Sequence, residues 1–231
     1  MSVPNLSEEG KTLETGEYYS TAALNQGYGH NVYLAMKRMI DIVGAIVGLV
    51  ITAPLFLILA ILIKLEDPKG PVFFKQQRVG KNEALFHMFK FRSMVSNAEE
   101  LLAQLLSQNE VSGHMFKMKN DPRITKIGRF IRKTSLDELP QLWNVLRGDM
   151  SLVGPRPPLP REVKEYSNYH KQRLSVTPGC TGLWQVSGRS QLGFEEMVEL
   201  DLKYIANRNL FFDIKIIFKT VRVLLGSKDA F

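Results

Sequence analysis

Twenty-two consecutive residues, Ile42 to Ile63, carry no charge, and no other feature restricts the fold of this chain as much. As a helix the run is long enough for a hydrocarbon core of about 30 Å. Soluble helices keep a polar face over such a length, so the segment is expected in lipid. Two details argue against a simple crossing. Pro54 lies well inside the run, where it removes a backbone hydrogen bond and favours a bend near Ala53-Pro54. The neighbouring Thr52 offers a hydroxyl to a freed carbonyl. Basic residues also flank both ends, Lys37 and Arg38 before the run and Lys64, Lys69, Lys75 and Arg78 after it. A true span leaves one flank poor in Lys and Arg. The pattern therefore reads as a re-entrant helix-break-helix with both ends on one side of the membrane.

The rest of the chain divides around this element. Residues 1–33 are polar and Glu-containing, unlike a secretory leader, and read as a flexible extension; 34–66 form the membrane element; 67–231 form a globular domain. Thirty Lys and Arg against 23 Asp and Glu give a net charge of +7, which favours anionic partners without choosing among phosphates, nucleic acid and lipid. A single cysteine, Cys180, excludes an internal disulfide and a cysteine-built zinc site, and the four histidines lack metal-ligand spacing. Within the domain, Val72 to Gln76 and Leu85 to Phe91 predict a β-hairpin. Helices are expected over Ser96–Gln108, Ile127–Lys133, Thr134–Leu146, Arg161–Arg173, Phe194–Ala206 and Leu210–Leu225. The last mixes aromatic, aliphatic and basic residues, as either an interfacial helix or a core helix would. Gly154-Pro155-Arg156-Pro157-Pro158 must be an extended, rigid loop, and Pro178 to Gly193 a glycine-rich one.

Ser135-Leu136-Asp137-Glu138-Leu139-Pro140 sets two adjacent carboxylates where a helix begins. Ser135 and Glu138 have capping-box spacing, although Asp137 could itself be the cap. Either arrangement exposes both carboxylates to the positive end of a helix dipole and favours their ionised form. Lys90 and Arg92 alternate with aromatics in Phe89-Lys90-Phe91-Arg92, which on a strand places both cations on one face. Arg123, Arg129, Arg132, Arg156 and Arg189 add forked donors suited to phosphate oxygens. The loop Gly182 to Arg189 offers close backbone approach and a stacking surface in Trp184, without the spacing of a nucleotide fingerprint. A magnesium ion fits these residues better than other metals, because it takes one or two carboxylates together with substrate phosphates.

From Lys37 onward the sequence resembles the monotopic polyprenyl-phosphate phosphoglycosyl transferases, the bacterial sugar transferase family. The matching stretches include Lys37-Arg38-Met39-Ile40-Asp41, Gly70-Pro71-Val72-Phe73-Phe74-Lys75-Gln76, Arg78-Val79-Gly80, Phe89 to Met94, Asp121-Pro122-Arg123-Ile124-Thr125, Asp137-Glu138-Leu139-Pro140-Gln141, Gly154-Pro155-Arg156-Pro157, Pro178 to Gly182 and Ser187-Gly188-Arg189. The resemblance implies an α+β monotopic membrane protein: a re-entrant helix-break-helix and a small, mainly helical interfacial catalytic domain carrying a β-hairpin. It implies an enzyme of the cytoplasmic face of the bacterial inner membrane that primes exopolysaccharide or capsule assembly. The partners would be a UDP-sugar, polyprenyl phosphate and membrane lipid, with no nucleic acid and homo-oligomerisation left open.

The family's catalytic pair maps onto Asp137, the nucleophile on the β-phosphate that releases UMP, and Glu138, which helps hold Mg²⁺. Lys90, Arg92, Arg156 and Arg189 are assigned to substrate phosphates. Asp201 and Tyr204, one turn apart, match a family pattern and are candidates for a supporting or magnesium-related role. The family break often carries Ser before its proline, where this chain has Ala53. The Leu183 to Arg189 form leans toward hexose donors, galactose or glucose. Two rivals remain: a transferase that passes only the sugar and releases UDP, and a basic membrane scaffold or nucleic-acid binder in which Asp137→Asn would change nothing.

Overall fold

The computed structural model describes residues 28–105, 118, 121–188 and 192–226. Most of the expected extension, residues 1–27, lies outside them. Helix α1, Tyr28–Glu66, begins six residues before the expected boundary and is long and apolar enough to cross a membrane. Only 11% of its most apolar stretch is buried by protein, which marks it as a membrane-associating element. The expected break does not interrupt it, since helical backbone continues through Ala53 and Pro54. Thr52 Oγ1 donates to the Gly48 carbonyl at 2.6 Å. It thus serves the carbonyl one turn below itself, not that of Val50, to which Pro54 has no N–H to offer.

The hairpin pairs β1, Phe73–Val79, with β2, Leu85–Phe91, in the register Phe74 opposite Lys90 and Arg78 opposite Phe86. β1 is longer than its apolar run predicts because Val79 N–H donates to the Pro158 carbonyl at 2.9 Å, which extends pairing beyond the hydrophobic residues. Helix α2, Ala98–Leu105, follows, and the expected continuation to Gln108 lies outside the described residues. Helix α3, Lys126–Lys133, starts where Thr125 Oγ1 accepts from Gly128 N–H at 2.8 Å. Helix α4, Gln141–Arg147, ends at Gly148, whose φ of 89° needs a residue without Cβ.

Beyond it β3, Ser151–Val153, leads into the extended Pro-rich loop. The single helix expected over 161–173 is instead two short ones, α5, Pro160–Val163, and α6, Asn168–Lys171, because Ser167 leaves helical geometry and caps the second. The glycine-rich segment contains a strand not foreseen in the sequence: β4, Gly179–Thr181, runs parallel to β3. A Cβ on Gly179 would stand 2.1 Å from the Gly154 nitrogen, so the two segments approach only as glycines. Helix α7, Phe194–Asn207, and helix α8, Leu210–Gly226, complete the fold. α8 buries Ile216 in the core while leaving Phe211 and Phe218 exposed.

The apolar helix is also the spine of the core. Its Ala45 packs with Met88, Val145 and Met150, and its Leu59 and Ile63 pack with Phe91 and Ile131. Both of its flanks are tied to the same body. Near the start, Lys37 Nζ and Tyr33 OH each lie 3.0 Å from Asp213 Oδ2, and Arg38 donates to the last carbonyls of α4, those of Val145 and Leu146. Asp41 accepts from Leu152 N–H at 2.9 Å and Ser151 Oγ at 3.0 Å. Near the end, Glu66 accepts from the first N–H groups of α3, Lys126 at 2.6 Å and Ile127 at 2.9 Å.

Candidate active site

Asp137 and Glu138 stand on a single 3-10 turn, Leu136–Glu138, one turn ahead of α4. The expected capping box is absent: Ser135 takes a left-handed conformation, φ 56°, and its side chain caps nothing. Leu136 and Leu139 point into the cluster around Leu59 and Phe91, so the carboxylates between them face outward. A loop that must bury the residues on either side of the pair presents the pair itself.

Lys90, reaching across from β2, places Nζ 2.6 Å from Glu138 Oε1. The protein around Glu138 opposes its charge, but Lys90, then Arg156 and Arg78, outweigh that opposition and hold its carboxyl below the usual range, with 44% of the side chain still open to solvent. Asp137 behaves differently from the dipole expectation. Burial pushes it up to about 6; Lys90 pulls against this and the neighbouring Glu138 adds to it. Two adjacent carboxylates thus carry different proton affinities, Glu138 held below the usual range and Asp137 raised to about 6.

Arg156 reaches this site because its loop is clamped on both sides. Gly154 N–H donates to Thr181 O and Gly179 N–H to Pro155 O, each at 2.8 Å. From the other side Arg78 Nη1 donates to Pro157 O at 3.0 Å and Val79 N–H to Pro158 O. Between these fixed points Arg156 is exposed and makes no hydrogen bond or ion pair among the described residues. Arg78 is the residue that sequence reasoning missed. It is buried beneath the loop, its Nη2 donates to Gln76 Oε1 at 2.7 Å, and its Nε has no partner. Burial, and then Arg156, depress it to about 10. No local signal pointed to it, because the expected strand ends at Gln76 and only the observed extension of β1 to Val79 places Arg78 on a buried strand position.

The other assigned residues are placed elsewhere. Arg92 lies one residue past the end of β2, 7% exposed, where it donates to the carbonyls of Ile63 and Asp67 and pairs with the Asp67 carboxylate at 3.4 Å. Alternation along a strand cannot carry it to the face of Lys90 once the strand has ended. Gly70 packs directly on its guanidinium, which accounts for the glycine of Gly70-Pro71. Asp201 pairs with buried Arg173, and burial pushes its carboxyl up to about 6 against that guanidinium, while Arg173 stays firmly protonated despite its own burial. Tyr204 OH donates to Asp213 Oδ1 at 2.7 Å and belongs to the group that anchors Tyr33 and Lys37 of α1. Trp184 is buried and offers no stacking surface. Arg189 lies outside the described residues.

Among the described residues no group of three or more His, Cys, Asp and Glu is built to enclose a metal. Asp137 and the open carboxylate of Glu138 suit an ion that completes its shell with phosphate oxygens and water.

An α+β body that carries a carboxylate pair among cations, fastened along an apolar helix, defines a membrane-associated protein with an anion-handling site. Residues 32–227 match the bacterial sugar transferase family, and the chain belongs to it. It is 47% identical over 226 residues to a galactosyl transferase, CpsE, of Streptococcus agalactiae, covering 97% of this chain and 49% of that protein. It is 48% identical over 200 residues to an undecaprenyl-phosphate galactose phosphotransferase of Salmonella typhimurium, covering 85% and 42%. It is 40% identical over 199 residues to the exopolysaccharide production protein ExoY of Rhizobium meliloti, covering 84% and 88%. The chain thus spans about half the length of the first two relatives and most of the third.

Proposed function

We propose that the protein transfers a sugar-1-phosphate, galactose or glucose, from a UDP-sugar to polyprenyl phosphate. The observation that carries this reading is the Asp137-Glu138-Lys90 constellation, with the clamped and unpaired Arg156 beside it, on a body fastened to a lipid-facing helix. A soluble anionic donor and a lipid acceptor must meet at one place, and a carboxylate nucleophile divides that encounter into two displacements. An Asp137 oxygen attacks the β-phosphorus, the bond to the α-phosphate oxygen breaks, and UMP leaves with the electron pair. The resulting aspartyl phosphosugar is then attacked by an oxygen of polyprenyl phosphate. Asp137 leaves as carboxylate and a polyprenyl diphosphate sugar forms.

Lys90 and Arg156 offset the charge gathered at the reacting phosphorus. Glu138, with Asp137, would hold Mg²⁺, which when bound supplies further charge neutralisation to the phosphates. The relatives named for galactose transfer and undecaprenyl phosphate support the donor and acceptor classes.

The re-entrant reading is supported by the anchors. A straight helix would separate Tyr33 from Asp67 by about 51 Å, whereas a compact body of this size is about 40 Å across. One body holding both flanks favours a bend at Pro54 and both ends at the cytoplasmic face of the bacterial inner membrane. The test is mass spectrometry of enzyme incubated with UDP-galactose or UDP-glucose alone. The phosphosugar should appear on Asp137 with release of UMP; release of UDP without an adduct would replace this reading by direct glycosyl transfer.

A further inference from the structure

The start of β1 leaves two aromatic rings uncovered, one on each face of the hairpin. Phe73 is 43% and Phe74 44% exposed. A strand with one face in a core buries one of two successive residues, so openness on both sides is not explained by the packing of this body. Phe74 is directly opposite Lys90 in the register. Side chains so paired share a face with Cβ atoms about 5 Å apart. Phe74 therefore borders the cation that touches Glu138, and it makes no ring contact among the described residues.

Phe73 leads the other way. Its ring stacks on Phe91 with centroids 5.2 Å apart and approaches Phe56 of α1 at 6.4 Å. Phe56 is two residues past Pro54 and adjoins Leu57 and Ile58, both exposed on the lipid-facing surface. Among the described residues β1 pairs with β2 alone and its outer edge is engaged at Val79, not at Phe73 and Phe74. Exposed aromatic residues thus link the membrane helix, through Phe73, to the strand position that Phe74 shares with Lys90, whose partner Glu138 also feels the charge of Arg156.

We propose that Phe73 and Phe74 form the subsite for the first isoprene units of the lipid acceptor, delivering its phosphate to Lys90 and Asp137. The inference rests on the lipid-acceptor reading above. A ligand with an apolar chain and an anionic head matches both ends of this link: aromatic rings continuous with lipid at one, two cations at the other. The uracil of the donor could stack on Phe74 but would leave open Phe73, on the helix side, unexplained.

The experiment uses the full chain in nanodiscs of phosphatidylethanolamine and phosphatidylglycerol, and measures the two half-reactions apart. With UDP-sugar alone, Phe74→Ala should form the aspartyl adduct at a rate within about twofold of wild type. With acceptor added, its KM for polyprenyl phosphate should rise about tenfold, as loss of the open part of one ring implies. Phe74→Leu, which keeps apolar area, should recover most of this. A short, soluble prenyl phosphate should show the same rise, which separates a defined subsite from general membrane contact. The proposal is overturned if Phe74→Ala slows adduct formation while the acceptor KM stays constant, since Phe74 would then serve the nucleotide. It is equally overturned if neither step changes. Failure of the two-step reading would be visible separately, as absence of any adduct in the wild type.

Discussion

Burial opposes ionisation of Asp137, Lys90 favours it, and Glu138 opposes it again, leaving the carboxyl at about 6 against an ordinary 3.8. A raised carboxylate contributes stability that is fully present below the unfolded value and lost as pH rises through about 6. At neutral pH ionised Asp137 therefore opposes folding. Asp137→Asn should abolish adduct formation yet raise the melting temperature at pH 7.5, by a stability gain of about 1–2 kcal/mol. The gain should vanish near pH 4, where the wild-type carboxyl is itself neutral. A variant that melts lower than wild type at pH 7.5 would contradict the origin assigned to the shift. On the role proposed for Asp137 the same proton would govern activity: single-turnover UMP release should fall about tenfold per pH unit below the pKa of Asp137. Arg156 offers a contrast. Exposed and without a hydrogen bond or ion pair among the described residues, it acts on Glu138 and Arg78 only through its charge, which lysine keeps. Arg156→Lys should therefore leave melting unchanged while losing bidentate contact to phosphate, with activity down on the order of tenfold to a hundredfold.

Arg92 belongs to the scale of elements, because it joins the end of the apolar helix to the end of β2 through the carbonyls of Ile63 and Asp67. Arg92→Met leaves those acceptors without their donor. Melting should fall by on the order of 5 °C, while the KM for UDP-sugar in the surviving protein stays near wild type. A KM effect without a melting effect would return Arg92 to the phosphates, as the sequence alone suggests. Elements were legible where local periodicity matched tertiary need. β2, α3 and α7 fall close to their predicted bounds because their apolar and basic patterns are local signals, whereas β1 is extended by a partner far along the chain.

The dyad was legible as residue types and not as geometry. Nothing in Thr134 to Pro140 announces that Ser135 turns left-handed and sets the carboxylates on a 3-10 turn, since burial of Leu136 and Leu139 decides it. Three-residue strands such as β3 and β4 have no periodicity to read, and their pairing depends on a close approach of Gly154 and Gly179 across the fold. Arg78 was invisible as a site residue for the same reason: its partner, the Pro157 carbonyl, is 79 positions away.

The whole molecule joins a lipid-facing helix to a charged site through two sets of anchors. One set, Lys37 with Asp213, Arg38 with α4 and Asp41 with Leu152, precedes the uncharged run; the other, Glu66 with α3 and Arg92 with Asp67, follows it. On the re-entrant reading proposed above both sets lie on one side of the membrane, whereas a helix that crossed the bilayer once could keep both only if the charged globular body crossed with it. Gly29→Cys and Gln77→Cys are suitable reporters: a side chain at 29 meets nothing within 4 Å, and Gln77 is exposed. The native Cys180 should compete poorly, because burial, and then Glu138 and Asp41, push its thiol well above the usual range. Both introduced thiols should resist a membrane-impermeant maleimide in intact cells and react once the cytoplasmic face is opened. Pro54→Leu restores the missing N–H and removes the main cause of a bend. Straightening then pulls the two anchor sets apart, so transfer activity should fall. Part of the Gly29→Cys population should also become reactive from outside. Outside labelling of Gly29→Cys in the unmodified helix would mean that the N-terminal anchors do not hold in the membrane, and the single-sided topology would be lost with them.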